Sequence, residues 1–327
     1  MGRVLILTDG KAGHENQSKA FARALGCEFD LVEVHFKSKF HKALSYLLDR
    51  VGVRSLRLLE IAVDCNRLQS KPAAVIGTGS GIFYAAKAMA KKLGVKCGVV
   101  LYPRGYDIAS FDCVLAPAFD RPKSAANVIE IPANLVANDE AFYEKGVEAF
   151  LEKRGKSSNR RIVESSNAVA VIVGGPNKCS TMTPEWMKSQ LDRIFASGST
   201  IRRFDDSMIP RQFWVTTSRR TPPAVEAVVD SYPWDYKLLY SKDHFNPIPA
   251  FVKLAKKLYV TAESTGMLSE SCTFGSAEVV ALDNLKPGPH KFRRFVEDLR
   301  TGGYVDGNRK VDLSAQFARA KGLMGLS

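Results

Sequence analysis

The chain has 327 residues, about twice the length of a typical domain, and 45% of them are apolar, which favours two cored domains and excludes a disordered chain. Its 47 Lys and Arg outnumber 34 Asp and Glu, and the formal charge of +13 favours anionic partners such as nucleotides or acidic lipids. The six cysteines form no CxxC pair, and no apolar run reaches the length of a membrane span. We therefore expect a cytoplasmic protein with reduced thiols, whose basic surface is compatible with peripheral contact at the inner face of the membrane.

The N-terminal half alternates short β-branched runs with amphipathic stretches. Strands are predicted at 3–8, 29–34, 73–77, 96–102, 112–116 and 127–131. Helices are predicted between several of them, including NQSKAFARALG and GIFYAAKAMAKKLG, each closed by a glycine that suits a C-cap. Strand–helix–strand alternation predicts a largely parallel sheet.

A helix over DEAFYEKGVEAFLEKRG leads into a polar stretch at 156–167, which we interpret as a linker. The alternation then restarts, with strands predicted at 168–175, 212–218, 236–240, 257–263 and 276–282. The predicted fold class is α/β, with two Rossmann-like parallel-sheet domains facing across a cleft.

The first candidate binding turn follows a buried strand of the C-terminal half. In VIVGGPNKCS, Gly174 and Gly175 leave the strand directly and Asn177 follows. Missing side chains let a phosphate or a sugar approach backbone N–H groups at such a turn. A plain strand-ending turn has the same residues, so both interpretations stay open.

Paired arginines follow the next strand, in WVTTSRRTPPAVEAV. Ser218 and Arg219 lie at the strand end, and Pro222 and Pro223 stand where a helix is predicted to begin. A guanidinium can bind two phosphate oxygens at once, so Arg219 or Arg220 is predicted to contact a diphosphate. A solvated charge pair is the alternative.

The third turn, in LYVTAESTGMLSESCTFG, is the most specific. A strand is followed by Ser264, Thr265 and Gly266, and then by a helix that carries Glu270. Small residues and a helix N-terminus suit a pyrophosphate, and Glu270 can accept hydrogen bonds from ribose hydroxyls. This half resembles the nucleotide-sugar-binding domain of GT-B glycosyltransferases, in which such a turn leads to a helix whose glutamate holds the ribose.

Five blocks occur in order over nearly the whole chain: TDGKAGHENQSKA, VGGPN, VTTSRRTP, FNPIPAFVKLAKKLYVTAESTGMLSES and KPGPHKFRRFVEDL. Together they resemble the elongated-mitochondria, or mitochondrial fission, family, whose bacterial members are grouped with GT-B glycosyltransferases. Two segments depart from the family pattern: Glu263 stands where members often have aspartate, and VIEIPANLVAN matches no family block. Plant members act as fission adaptors and bacterial members were labelled nucleoside-diphosphate-sugar epimerases, so the resemblance implies the fold more firmly than the reaction.

The resemblance gives a catalytic role to the opening loop, TDGKAGHENQS. In GT-B enzymes the first loop of the N-terminal domain carries a histidine or an acid and lies opposite the donor diphosphate. Asp9 or His14 is then the general base for an acceptor hydroxyl, and Lys11 offsets phosphate charge. In the alternative interpretation, Asn16 or Ser18 merely caps the following helix and His14 is a solvated loop residue.

Further site residues are assigned in the same way. Gly79 and Ser80 of GTGSG and Arg104 of LYPRG are expected to shape the acceptor pocket. The spacing of GTGSG, without an acidic residue at the end of the next strand, excludes NAD binding. Asn246, before Pro247, is expected near the nucleotide base, and the last segment is expected to pack back on the N-terminal domain, as the last helix of GT-B enzymes does.

We therefore predict a GT-B glycosyltransferase, inverting and independent of metal, that moves a sugar from a nucleotide-diphosphate sugar to a glycan or lipid-linked acceptor of the cell envelope. Residues 1–158 are expected to bind the acceptor and 159–310 the donor, with 311–327 returning to the first domain. No cofactor, metal or nucleic-acid partner is expected, since the five histidines form no HxH or HxxxH pair and no DxD or nucleic-acid-binding motif occurs. A nucleoside-diphosphate-sugar epimerase and a non-catalytic adaptor are the alternatives.

Overall fold

The structure, a computed structural model, describes residues 2–62, 71–154, 167–199 and 211–326. The chain divides into two compact units: Met1–Ala137 with Asp312–Ser327, called here the first unit, and Asn138–Val311, the second unit. The predicted linker at 156–167 lies, except for Asn167, outside the described residues, as does the predicted boundary after residue 158.

The first unit contains a seven-stranded sheet. Its strands are β1 (Arg3–Thr8), β2 (Glu28–Phe36), β3 (Leu59–Ile61), β4 (Ala74–Thr78), β5 (Lys96–Val100), β6 (Cys113–Pro117) and β7 (Val128–Ile131). The order is β3-β2-β1-β4-β5-β6-β7, and all neighbours pair in parallel except β2 and β3. The chain order reverses between β1 and β4, which is where open parallel sheets place ligands.

The second unit contains a five-stranded sheet. Its strands are β8 (Val169–Val173), β9 (Phe213–Thr217), β10 (Tyr236–Leu238), β11 (Lys257–Thr261) and β12 (Glu278–Leu282). They pair in parallel in the order β10-β9-β8-β11-β12. Every strand predicted from the sequence is present, and the prediction of an α/β fold with two Rossmann-like parallel sheets is confirmed.

Helices cover both faces of each sheet. They are α1 (Ala12–Ala24), α2 (Lys39–Arg50), α3 (Phe83–Leu93), α4 (Glu140–Arg154), α5 (Pro184–Ser199), α6 (Pro223–Asp230), α7 (Ile248–Leu254), α8 (Thr265–Thr273), α9 (Lys291–Thr301) and α10 (Ser314–Met324). Within the described residues, no helix combines the length and the apolar character needed to cross a membrane.

The two faces of the first sheet bury alternate residues of the same strands. Leu5 and Leu7 of β1 belong to the core that includes residues of α3, whereas Val4 and Ile6 belong to the core that includes residues of α1 and α10. Successive side chains of a strand point to opposite faces, so a strand covered on both sides is apolar throughout, as VLIL at 4–7 is. Met324 of α10 lies in this second core, so the end of the chain packs in the first unit.

Aromatic side chains place α4 in the second unit, although this helix precedes the predicted linker. Phe150 of α4 packs against Trp214 of β9 and Phe251 of α7, with ring centroids 5.4 and 5.9 Å apart. All three rings are fully buried, and such pairs add to the energy of burial. As a result, α4 contributes side chains to the same unit as the predicted donor residues.

Candidate functional site

Three neighbouring strands of the second unit lead into the loops that carry the predicted donor residues. β9, β8 and β11 are adjacent and parallel, so their carboxyl ends meet at one edge of the sheet. β8 leads to Gly174, β9 to Ser218 and β11 to Ser264. The fold therefore places these three segments at one edge of the second sheet.

The buried carboxylate of Glu263 links these loops. Its Oε1 accepts hydrogen bonds from Thr261 Oγ1 at 3.0 Å and Ser264 Oγ at 2.9 Å, and its Oε2 accepts one from Asn284 Nδ2 at 2.7 Å. The Gly174 amide in turn donates to Thr261 Oγ1 at 2.9 Å. Glu263 is 3% exposed, so we assign it a structural role: it fixes the loops that follow β8, β11 and β12.

The glycines at this edge differ in the space beside them. A Cβ on Gly174 would lie 2.1 Å from both Glu263 Oε1 and Ser264 Oγ, and one on Gly175 would lie 2.3 Å from the Arg220 carbonyl oxygen. Protein atoms therefore already fill the space at these two positions. At Gly266, by contrast, a Cβ would meet no atom within 4 Å. Open space for a ligand is thus found at the start of α8.

The first turn of α8 is not capped by the residue that stands at its N-cap. Ser264 occupies that position, but its side chain makes no capping hydrogen bond, and its hydroxyl donates to Glu263. The first N–H groups of a helix have no partner within the helix. The N–H groups of Thr265 and Gly266 are therefore left to an external acceptor, and a phosphate is one such acceptor.

The loop after β9 is held against the turn after β8. Thr221 Oγ1 accepts a hydrogen bond from the Ser218 amide at 2.9 Å and donates one to the Gly174 carbonyl at 2.6 Å. Arg219 and Arg220 project from this fixed loop and are exposed. Their guanidinium groups are thus carried on a rigid support at the same sheet edge.

Two predicted asparagines shape local turns. Asn177 Oδ1 accepts a hydrogen bond from the Cys179 amide at 2.7 Å, and Asn246 Oδ1 accepts one from the Ile248 amide at 3.1 Å. These are Asx-type bonds, which fix a turn in the backbone. Each asparagine therefore has a role in the conformation of its own turn. Contact of Asn177 or Asn246 with a nucleotide stays a prediction.

Glu270 lies on α8 and is contacted by a residue that the sequence did not indicate. Tyr143 of α4 donates a hydrogen bond from its hydroxyl to Glu270 Oε1 at 2.8 Å, and its ring stacks on Phe274 at 4.3 Å between centroids. Burial raises the pKa of the Glu270 carboxyl, and the bond from Tyr143 offsets part of this rise. Tyr143 is far from Glu270 in sequence, so no local pattern could have revealed the contact.

In the first unit, the loop after β1 brings Asp9, Lys11 and His14 together. Asp9 Oδ2 lies 2.6 Å from Lys11 Nζ, and Asp9 Oδ1 lies 3.0 Å from His14 Nδ1. Burial acts to raise the pKa of the Asp9 carboxyl, but Lys11 and His14 together outweigh it and the pKa is lowered. With Nδ1 held by the carboxylate, Nε2 is the ring nitrogen left to exchange a proton with another group.

The turn after β4 packs against this histidine. Gly79 has a φ of +89°, and a Cβ there would lie 2.4 Å from the His14 ring, so the position requires glycine. Ser80 accepts a hydrogen bond from Lys42 Nζ at 3.1 Å. Arg104, on the loop after β5, is exposed and donates to the Asp120 carbonyl. Gly79 thus adjoins His14 at the switch point of the sheet.

The structure corrects one alternative for this loop. Helix α1 begins at Ala12, with Lys11 at the N-cap and no side-chain capping bond. Asn16 and Ser18 therefore lie inside the helix and neither caps it, and Ser18 hydrogen bonds to Thr78 at 2.7 Å. His14 lies in the first helical turn, fixed by Asp9, rather than in a solvated loop.

Known proteins identify the family. A family model described as Mitochondrial fission ELM1 matches residues 12–316. The chain belongs to this family. The resemblance seen in the sequence blocks is thereby confirmed, while a comparison with curated proteins finds no match.

Several solved structures are similar to this chain over nearly its whole length. UDP-GlcNAc 2-epimerase from Neisseria meningitidis bound to UDP-GlcNAc has a TM-score of 0.50 and 11% identity, over 99% of this chain and 98% of that one. MurG from Acinetobacter baumannii has a TM-score of 0.47 and 13% identity, over 99% and 91%. A glycosyl transferase family 9 protein from Veillonella parvula has a TM-score of 0.38 and 10% identity, over 100% and 98%. At such identities the similarity concerns the fold alone, which the ELM1-family chain shares with the epimerase from Neisseria meningitidis.

Proposed function

We propose that this ELM1-family protein is a glycosyltransferase whose second unit binds a nucleotide-diphosphate sugar and whose first unit activates an acceptor hydroxyl. The observation that carries the donor part is the start of α8, where the hydroxyl of Ser264 is used by Glu263 and the helix is left uncapped. An uncapped helix start with open space beside Gly266 is suited to a diphosphate.

Cationic side chains support the same site. Arg219 and Arg220 follow β9 on a loop that Thr221 fixes to the turn after β8. Because a guanidinium can donate two parallel hydrogen bonds to phosphate oxygens, either arginine can neutralise the charge of the diphosphate. In transfer, the bond from the sugar to the diphosphate breaks and the leaving group gains charge, so these donors would stabilise the departing nucleoside diphosphate.

Glu270 is proposed to hold the ribose. Tyr143 occupies one side of its carboxylate through the 2.8 Å bond to Oε1, which leaves Oε2 as the acceptor for a ribose hydroxyl. Because Tyr143 is fully buried, it restricts the orientation of the carboxylate. Asn177 and Asn246 are proposed to lie near the nucleotide, with their side-chain oxygens forming the turns described above.

The acceptor step is assigned to the first unit. His14 Nε2 is proposed to take the proton of an acceptor hydroxyl as its oxygen attacks the anomeric carbon, while Asp9 holds Nδ1 and stabilises the imidazolium that forms. Lys11, together with His14, lowers the pKa of the Asp9 carboxyl against the effect of burial. Gly79 and Ser80 adjoin this pair, and with Arg104 they are proposed to shape the acceptor pocket. We propose a glycan or lipid-linked acceptor of the cell envelope, since the charge of +13 favours an anionic partner.

The proposed function is tested by incubating the protein with labelled nucleotide sugars, with and without membrane glycolipids as acceptors. Wild type should transfer sugar, whereas Asp9→Asn and His14→Ala should lose about 10²- to 10⁴-fold in rate and keep nucleotide affinity. His35→Ala is the matched control, because His35 also pairs with a carboxylate, Glu33, at 2.8 Å but lies outside the loop. Conversion of the nucleotide sugar without an acceptor would instead identify an epimerase, and neither reaction would indicate an adaptor.

A further inference from the structure

Helix α2 exposes several large apolar side chains, although Leu44, Tyr46 and Leu48 of the same helix pack against the core. Ser45 and Asp49, on its inner face, are 0% and 1% exposed. Three apolar side chains on its outer side are exposed: Phe40 by 71%, Leu47 by 60% and Val51, the C-cap residue, by 65%. These three follow a spacing of seven and four residues, so they share one side of the helix. Besides the residues that pack on the core, α2 therefore has a side with apolar residues that faces water.

Buried polar contacts, together with the packing of Leu44, Tyr46 and Leu48 on the core, hold α2 in the first unit. Asp49 accepts a hydrogen bond from the buried Lys87 ammonium at 2.9 Å and lies 3.2 Å from Arg54. Ser45 lies 3.1 Å from the Tyr106 hydroxyl. A buried ion pair of this kind fixes a helix in one position. The outward residues are therefore not needed to hold α2 in the first unit.

We call the outward residues the α2 patch: Phe40, Leu47 and Val51 on one side of the helix, and Val53, two residues after the C-cap and 44% exposed. An apolar surface of this kind on one side of a single helix is typical of an interaction site. Leu31 is also exposed, at 41%, but it lies on the same face of β2 as Phe29, which packs on the core opposite to the one that α2 contacts.

The charges in the sequence of α2 and the residues beside it are almost all positive. Between residues 37 and 57 the sequence holds six Lys or Arg and one acidic residue, the buried Asp49. Lys37, Lys39, Arg50 and Arg57 are exposed, and none of them forms an ion pair with a carboxylate of the described residues. Apolar side chains flanked by unpaired cations are the combination that binds the surface of an anionic membrane.

We propose that the α2 patch docks the protein on an anionic lipid bilayer, with the apolar side chains in the headgroup region and the lysines and arginines on lipid phosphates. A second copy of the chain fits this surface less well, because a two-fold contact would bring the same four cations together. Lys42 of α2 donates to Ser80, so the docked helix adjoins the turn that packs on His14. The inference rests on α2 and does not depend on the donor site.

Vesicle sedimentation tests this directly. Wild type should bind vesicles of phosphatidylcholine mixed with phosphatidylglycerol, bind pure phosphatidylcholine weakly, and lose binding as salt rises. The triple variant Phe40→Ser, Leu47→Ser and Val51→Ser should reduce partitioning at least about tenfold. Leu31→Ser is the matched control, since it removes an exposed leucine of the same unit from another face, and it should bind as wild type does.

The proposal is overturned if the protein does not bind anionic vesicles, or if the triple variant binds them equally well. Light scattering without lipid tests whether the patch binds a second copy of the chain instead. A wild-type dimer that the triple variant dissociates would show this and would also overturn the proposal. Nucleotide affinity of the triple variant should be unchanged and reports on the donor site separately. The substituted side chains are exposed, so we expect the variant to fold, and its unfolding transition in urea checks this.

Discussion

The substitution Gly266→Ala separates a ligand-binding role of this glycine from a structural one. Gly266 lies in the first turn of α8, and a Cβ there would meet no atom within 4 Å. Alanine therefore costs nothing in packing, and it favours the helix by about 0.5–1 kcal/mol because glycine loses more backbone entropy on folding. The variant should be as stable as wild type or slightly more stable.

Binding should change in the opposite direction. If a diphosphate approaches the N–H groups of this turn, the added methyl group occupies the space it needs. Loss of one hydrogen bond to a charged group costs about 1.5–3 kcal/mol, which corresponds to an affinity lower by about 10- to 100-fold. Urea denaturation measures the stability and isothermal titration calorimetry with a nucleoside diphosphate measures the affinity.

Gly322→Ala in α10 is the control for this experiment. Gly322 is also an exposed helical glycine with no atom within 4 Å of its Cβ position, but it lies in the first unit. It should gain similar stability and leave nucleotide affinity unchanged. Wild-type affinity in Gly266→Ala, and also in the larger Gly266→Leu, would show that no diphosphate binds at the start of α8.

Further predictions concern pH, packing and the buried charges. Burial raises the pKa of Glu270, so nucleotide affinity should fall as the pH drops through that raised pKa and the carboxyl becomes protonated. Calorimetric titrations at several pH values should show this fall for wild type and not for Glu270→Gln. Gly174→Ala should destabilise the protein by about 1–3 kcal/mol in urea, because its Cβ would lie 2.1 Å from Glu263 Oε1. Asp49→Ala should lower the free energy of unfolding by about 3–5 kcal/mol in the same assay, because it leaves the buried Lys87 ammonium without its carboxylate. A smaller loss of stability for Gly174→Ala or for Asp49→Ala would contradict the packing described.

The strands could be predicted from the sequence because parallel strands buried on both faces leave continuous apolar runs. The one described strand that was missed, β3, is three residues long and pairs antiparallel with β2. So short a segment has no periodicity of its own, and its pairing depends on the register of β2. The start of α1 was misjudged for a related reason: Lys11 stands at its N-cap without a side-chain bond, so the usual capping signal is absent.

The candidate site was predicted in type but not in detail. Turns with Gly, Ser and Arg indicated phosphate binding, yet the sequence could not show that protein atoms fill the space at Gly174 while Gly266 lies beside open space. Glu263 was visible only as a departure from the family pattern, whereas the structure shows it bonded to three side chains. Contacts between residues distant in sequence, such as that of Tyr143 with Glu270, are set by packing and leave no local pattern.

The central claim, that the second unit binds a nucleotide-diphosphate sugar, is tested most directly by calorimetric titration of the wild-type protein with a panel of nucleotides and nucleotide sugars. At least one uridine, guanosine or cytidine nucleotide should bind, with its sugar conjugate binding at the same site, and Glu270→Ala should weaken that affinity by about 1–3 kcal/mol, the value of a charged hydrogen bond. Absence of heat and of displacement with every member of the panel would contradict the donor site and the enzyme assignment together.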